Sequence, residues 1–334
     1  MNILLTSVGR RGYIVDYFKA ALNGEGEVHA ANSILTLAMK AADKHVLTPL
    51  IYGNDYIEFL INYCRKNNIV ALLSLFDIDL LVLAKNEAKF RAIGVRLILA
   101  PEESVEICND KWRTFQFLKE YGIRTPKTYV RLEDTMDAIA SGEISYPLVI
   151  KPRWGMGSMA IYFAENEIEL KVLYEKSRRE VFASYLKYES GMTPDHAVII
   201  QEKLIGQEHG VDVLNDLAGS YVDTFPKTKA VMRAGETDVG VTVDKTPFEG
   251  IAIKLSQKLA HAAILSVDCF VCSDGVYVVE MNCRISGHYP LSHLAGVNVP
   301  RQLILWLKGG ETDHSLMHFK TGLTIVKDLV PRIL

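Results

Sequence analysis

The stretch Ala263-Ile-Leu-Ser-Val-Asp268-Cys-Phe-Val-Cys272-Ser273-Asp274-Gly275-Val-Tyr-Val-Val-Glu280-Met-Asn282 reads as two apolar strands joined by a turn. A Ser-Asp-Gly loop with glycine last suits a type I turn followed by a left-handed residue. That three-residue loop pairs Cys272 with Val276, and counting outward sets Asp268 opposite Glu280 on one face of the ladder. Asn282, two residues beyond Glu280, joins that face. Three oxygen-bearing side chains converging on a buried hairpin repel one another unless a cation lies between them, and Mg²⁺ shared with substrate phosphates is a natural occupant. The alternative is a solvated strand end whose acids face water.

Upstream, Tyr146-Pro-Leu-Val-Ile-Lys151 ends an apolar strand on a cation, and Gly155, Gly157 and Ser158 follow in a short loop. A lysine is a compact point charge suited to phosphate, and the glycines let backbone N–H groups approach phosphate oxygens. A plain hairpin loop with a solvated Lys151 is the competing reading. In Val198-Ile-Ile-Gln-Glu202-Lys203-Leu204-Ile-Gly-Gln-Glu208, a strand runs through a Gly206 turn into a second strand. Such a hinge offers backbone groups to an adenine edge and a carboxylate to ribose hydroxyls, although glutamates at strand ends are commonly just exposed. Lys227, Lys229 and Arg233 alternate along one strand, where they form either a cationic face toward a triphosphate or a lysine-guarded edge.

The first hundred residues alternate between the two periodicities: strands at 3–7, 28–32, 70–75 and 96–99, helices at 13–22, 56–66 and 80–91. That alternation predicts a Rossmann-like parallel sheet with crossover helices, whose ligands bind at the carboxyl ends of the strands, near 7–12 and 76–79. The Gly9-Arg10-Arg11-Gly12 turn is not GxGxxG and supports no dinucleotide. Asn109-Asp110 can cap a helix over 111–121, stopped by Gly122 and Pro126. From Pro147 onward strands dominate in an α+β pattern.

With 334 residues, 49% apolar, 23% charged and a net charge of −3, the chain is an ordinary globular one of two or three subdomains. It has no general basic field for nucleic acid and no apolar run near the roughly 20 residues that cross a membrane. Apolar sequence precedes Arg10 and Arg11, the reverse of a signal peptide, so the expected location is cytoplasmic. Five scattered cysteines (Cys64, Cys108, Cys269, Cys272, Cys283) complete no zinc site, and Cys269 and Cys272 read as core thiols. There is no HExxH, nucleophile elbow or Walker-type loop.

Taken in order, Asn109-Asp-Lys111, Tyr146-Pro-Leu-Val-Ile-Lys-Pro, Gln201-Glu-Lys-Leu-Ile-Gly-Gln-Glu208 and Val279-Glu-Met-Asn-Cys-Arg284 resemble the ATP-grasp superfamily. They are most similar to short proteins that resemble one synthetase half of the carbamoyl-phosphate synthetase large subunit. Thr6-Ser-Val-Gly-Arg-Arg, Met232-Arg-Ala-Gly-Glu-Thr-Asp and Gly296-Val-Asn-Val-Pro extend the resemblance over nearly the whole chain. It implies a pre-ATP-grasp domain over 1–105, linker helices and a first ATP-grasp subdomain over 106–200, and a second subdomain over 201–334. It further implies ATP with Mg²⁺, or Mn²⁺ in its place, and an ATP-dependent carboxylate–amine ligase working through an acyl-phosphate. Lys111 and Lys151 would then touch the phosphates beneath the loop Gly155–Ser158. Glu202, Lys203 and Leu204 would meet adenine, Glu208 the ribose, and Asp268, Glu280 and Asn282 the metal. Arg284, with Arg233 as a second cation, would steady the transferred phosphoryl group.

The same resemblance places the carboxylate and amine substrates against Gly9, Arg10, Arg11, Asp77, Asp79, Arg284 and His288. Paired arginines suit an anionic substrate, such as an amino acid or a phosphorylated sugar; alternatively they only cap the first turn, with Arg11 paired to Asp16. A homodimer is carried over by analogy alone. Two other outcomes stay open: a kinase releasing a phosphorylated product, and a non-catalytic nucleotide-binding protein. The family usually has Pro where this chain has Cys283, and Ile285-Ser-Gly-His-Tyr-Pro differs from the synthetase's own sequence, which suggests a different acceptor.

Overall fold

The computed structural model describes every residue except 234, 329, 331 and 332. Ala234, within the Met232–Asp238 motif, and the last few residues of the expected second subdomain therefore lie outside the described residues.

Five short strands, β1 Asn2–Thr6, β2 Val28–Asn32, β3 Lys44–Leu47, β4 Ile69–Ser74 and β5 Arg96–Leu97, form a parallel sheet in the order β3-β2-β1-β4-β5. Strands β1 and β2 are almost wholly buried, as expected of strands covered on both faces by crossover helices. Those helices are α1 Gly12–Leu22, α2 Leu37–Ala41, α3 Tyr56–Lys66, α4 Asp77–Ala84 and α5 Glu87–Arg91. The expected single helix over 80–91 is two helices, and the first begins three residues earlier with Asp77 and Asp79 in its first turn. Acids there complement the positive end of the helix dipole. Periodicity did not reveal α2 and β3, because β3 is an exposed edge strand with no buried face to pattern.

Helices α6 Glu102–Asn109 and α7 Lys111–Glu120 link this sheet to the rest. Asp110 caps α7, its carboxylate accepting from Trp112 N at 3.0 Å and Arg113 N at 3.4 Å. Next come β6 Thr128–Tyr129, α8 Leu132–Ala140, β7 Leu148–Pro152, β8 Tyr162–Ala164, α9 Glu167–Ala183, α10 Lys187–Ser190 and β9 Val198–Glu202; their strands form a sheet ordered β6-β9-β7-β8. The expected subdomain change at residue 200 falls inside β9, whose Gln201 and Glu202 pair with β7.

A third sheet, ordered β11-β10-β14-β15, holds β10 Gln207–Asn215, β11 Tyr221–Thr228, β14 Ala263–Cys272 and β15 Gly275–Asn282. A small sheet joins β12 Val231–Arg233, β13 Glu236–Val241 and β16 Thr324–Val326. Helix α11 Thr246–Leu259 packs on β10 and β11, while α12 Tyr289–Leu294 and α13 Val299–Leu307 return the chain to α1. One apolar core consequently joins Ile3, Leu5 and Phe18 of the first sheet and its helix to Phe225, Ile264, Tyr289 and Leu303. Both sheets are thereby fixed about the cleft between them. No described helix is long and apolar enough to cross a membrane.

Candidate active site

The hairpin β14–β15 aims its acids by a route different from the expected one. The connection is a two-residue turn, Ser273–Asp274, with Cys272 opposite Gly275 rather than Val276. Gly275 takes φ +144°, a conformation that side chains rarely adopt. The ladder then shifts between Asp268 and Cys269, leaving Val279 as an extra residue, and Asp268 meets Glu280 after all, with Ser266 opposite Asn282. This bulge turns Val278 and Met281 toward the core with Cys269, and Asp268, Val279, Glu280 and Asn282 toward a cavity. Cys272 is half-buried rather than a core thiol.

That cavity measures about 620 Å³ and lies between all three large sheets. Three buried lysines enter it. Lys151 reaches in from the end of β7, and burial pushes its ammonium down to about 8. Lys111 stands at the start of α7, 3.8 Å from Glu280, and donates to the Gly155 carbonyl at 2.6 Å. Lys229 bridges Glu208 at 2.9 Å and Asp268 at 2.7 Å, and although burial works against its charge, these carboxylates hold its pKa above the ordinary lysine value. Burial likewise opposes ionisation of Glu280, but Lys111 and Lys151 keep its carboxyl below the usual range. Burial raises Asp268. Three cations thus stand against Glu208, Asp268 and Glu280.

Two opposed carboxylates and an amide oxygen form a hard donor set suited to Mg²⁺. Among the described residues no group of three His, Cys, Asp or Glu side chains could hold a metal alone. A cation here would therefore complete its shell with Asn282 and phosphate oxygens, as Mg²⁺ commonly does.

The loop 155–158 forms part of the cavity wall. Gly155 (φ +111°) packs so closely on Leu186 that a Cβ would come within 2.7 Å of it. A Cβ on Gly235 (φ +77°) would come within 2.6 Å of the Gly157 backbone, so the loop and the β12–β13 turn meet. The base of the loop is anchored by Arg153, whose guanidinium grips both carboxylate oxygens of Asp110 at 2.7 and 2.6 Å. The cap of α7 and the loop root are therefore one structure.

Glu202, Lys203 and Leu204 connect β9 to β10 but do not line the cavity. Glu202 accepts from Lys127 N at 2.9 Å, and Lys203 lies 5.2 Å from the ring of Phe163. Phe163 itself, with Ile161, Phe270 and Val279, supplies an apolar wall. Ile161, Phe163 and Phe270 carry no motif, and the wall was not read from the sequence.

At the opposite end Arg284 is buried and grips Asp77 at 2.7 and 2.6 Å. Arg10, Arg11, Glu236 and His288 line the same end. Arg11 donates to the Leu75 carbonyl at 2.5 Å and faces Glu236 at 3.5 Å, not Asp16. Glu236, missed in the sequence, is also held by Lys327 at 3.0 Å, and Gly287 leaves room for its carboxylate. His288 is buried, and burial together with Lys227 and Lys229 keeps its imidazole well below the usual value.

Five expected positions are corrected. Asp79 is fully buried and accepts from Thr6, Ser7, Ser74 and Tyr56, so its oxygens are committed to pinning the first sheet. Gly9 and Asp77 do not line the cavity, and Asp77 reaches it only through Arg284. Arg233 is exposed and paired with Asp238 at 2.5 and 2.9 Å, away from the cavity. Lys227 points into the interior against Asp212 and Ser292, so Lys227, Lys229 and Arg233 share no cationic face.

Residues 108–288 match the model of the ATP-grasp domain, and residues 3–98 match the PylC-like N-terminal domain. The biotin carboxylase domain of 2-oxoglutarate carboxylase from Hydrogenobacter thermophilus, solved as a dimer with MgADP, ADP and bicarbonate, superposes with a TM-score of 0.74 at 18% identity, over 96% of this chain and 72% of that one. N5-carboxyaminoimidazole synthetase from Staphylococcus aureus gives 0.69 at 15%, over 93% and 78%. L-amino acid ligase from Bacillus licheniformis gives 0.68 at 18%, over 92% and 75%.

Proposed function

From the premise that this chain belongs to the ATP-grasp family, we propose that it is an ATP-dependent ligase that activates a small-molecule carboxylate as an acyl-phosphate and passes it to an amine. The observation that carries this reading is the neutral cluster of Lys111, Lys151 and Lys229 with Glu208, Asp268 and Glu280 in one cavity.

In this reading the apolar wall of Ile161, Phe163, Phe270 and Val279 receives adenine beside the Glu202–Leu204 hinge, and Glu208 receives the ribose. Lys111 and Lys151 meet the phosphates under the loop 155–158, whose backbone N–H groups approach their oxygens. Asp268, Glu280 and Asn282 would hold Mg²⁺, which when bound neutralises charge on the phosphate oxygens. Arg284, held rigid by Asp77, faces the phosphoryl group in transit, and the closed loop excludes the water that would hydrolyse an acyl-phosphate. The γ-phosphoryl group moves to a carboxylate oxygen and ADP leaves. The amine then forms the new C–N bond as phosphate departs. Positioning and electrostatics supply most of the acceleration in such phosphoryl transfers.

Arg10, Arg11 and Glu236 make the acceptor end polar and charged, which suits a charged carboxylate substrate. The H. thermophilus domain is a dimer, and we extend that assembly to this chain, to be checked by light scattering. The testing experiment incubates the protein with MgATP and pooled carboxylates and amines, follows ADP release, and identifies the product by mass spectrometry. ADP formed only when carboxylate is present supports the proposal; MgATP binding with no turnover in any pool refutes it.

A further inference from the structure

Asp212 on β10 is completely buried, and one of its oxygens takes the ammonium of Lys227 and the hydroxyl of Ser292, the latter at 2.7 Å. The other faces His288 Nδ1 at 3.3 Å. His288 Nε2 lies 2.7 Å from Ser266 Oγ, and both His288 and Ser266 line the cavity. The arrangement is built into the backbone, since a Cβ on Gly210 would come within 2.7 Å of the His288 ring. Glycine at 210 is what lets the imidazole lie flat against β10.

Ser266 faces Asn282 across the ladder, two residues beyond Asp268. At about 3.4 Å per residue it stands roughly 7 Å past the Asp268–Glu280 pair, toward the acceptor end. The oxygen of Asp212 that faces away from His288 is taken by Lys227, and His288 Nε2 lies 3.8 Å from Asp268 Oδ1 as well as beside Ser266. A proton on Nδ1, the nitrogen that faces Asp212, would leave the Nε2 lone pair to receive the Ser266 proton. A serine hydroxyl has one proton to give, so toward the cavity Ser266 Oγ can only accept.

We propose that Ser266 Oγ is the hydrogen-bond acceptor of the nucleophile subsite, receiving an N–H of the incoming amine, with His288 and Asp212 as the residues that position it. The proposal rests on the ligase reading above. In the capture step the amine lone pair forms the C–N bond, the C–O bond to phosphate breaks, phosphate leaves with that electron pair, and the proton lost from nitrogen ends on phosphate. Position 288 falls in Ile285-Ser-Gly-His-Tyr-Pro, the segment that departs from the resembled synthetase, as a residue specifying the acceptor should.

Hydroxylamine serves as the probe nucleophile, with MgATP and the carboxylate pool that supports ADP release. Ser266→Ala is expected to raise the KM for hydroxylamine about tenfold, the loss of one hydrogen bond. Hydroxamate formed per ADP should fall with it, while the KM for MgATP moves less than about twofold. His288→Asn, an independent variant, should move the same two readouts in the same direction. Wild-type hydroxamate formation with unchanged hydroxylamine KM in both variants overturns the subsite alone. A rise confined to the KM for MgATP also overturns it, by assigning Ser266 to the nucleotide. ADP release without hydroxamate from the wild-type protein overturns the acyl-phosphate reading and this subsite together.

Discussion

Lys151 has a buried ammonium that burial pushes down to about 8, so in the empty site its charge is complete below that pH and is lost as pH rises through it. The kcat/KM for MgATP should therefore fall as pH rises through about 8, because this ratio reports groups of the free enzyme. Lys151→Arg, which stays charged, should remove the fall; an unchanged profile in that variant would detach Lys151 from the phosphates. Glu280→Gln keeps the shape of the side chain and removes its charge, and Mg-dependent ADP formation should drop on the order of 10²- to 10³-fold without loss of fold by circular dichroism. Normal ADP release from that variant would end the metal assignment. At this scale the place of a residue in the cavity was legible where it belonged to an ordered motif, as with Lys111, Lys151, Glu280 and Asn282, or where the hairpin register paired it, as with Asp268. It was not legible for Glu236, Ser266, Asp212 and Asp79, whose placements depend on partners far away in the chain, nor for Arg233, whose charge Asp238 satisfies locally.

Helix α7 and the loop after β7 are coupled through Asp110, which caps the one and clamps Arg153 at the root of the other. Asp110→Ala should cost about 1 kcal/mol for the lost cap alone, more with the buried pair broken, and should lower the denaturant midpoint. The same variant should raise the KM for MgATP, because Lys111 and the loop lose their common anchor; a stability loss with unchanged KM would separate cap from site. The hairpin β14–β15 shows how far local rules carry. Apolar periodicity and a turn signal were enough to predict two strands and the Asp268–Glu280 pair, yet the loop is one residue shorter than expected and a bulge at Val279 is one residue longer. The two departures cancel in the pairing. They do not cancel in the facing of side chains, since only the bulge lets Val278 enter the core while Glu280 enters the cavity. A bulge is chosen by packing on both faces at once, which one strand's pattern does not encode.

The shared core between the first sheet and the site-bearing sheet makes the cleft a property of the whole molecule. Nucleotide held between them should stabilise both, and at about 100 times its Kd MgADP should add roughly 2.7 kcal/mol, seen as a higher Tm. Chelating Mg²⁺ or introducing Glu280→Gln should abolish most of that rise. The parallel sheet, the α+β remainder and their order were readable because alternating periodicities and capped helices are local signals; the exposed edge strand β3 and the apolar wall of Phe163 and Phe270 were not, since neither follows a pattern. The central claim is that the cavity transfers the γ-phosphoryl group of ATP to a substrate carboxylate. With the accepting carboxylate labelled in both oxygens with ¹⁸O, the phosphate released on amide formation should carry one ¹⁸O; phosphate free of label, released in step with product, would contradict it.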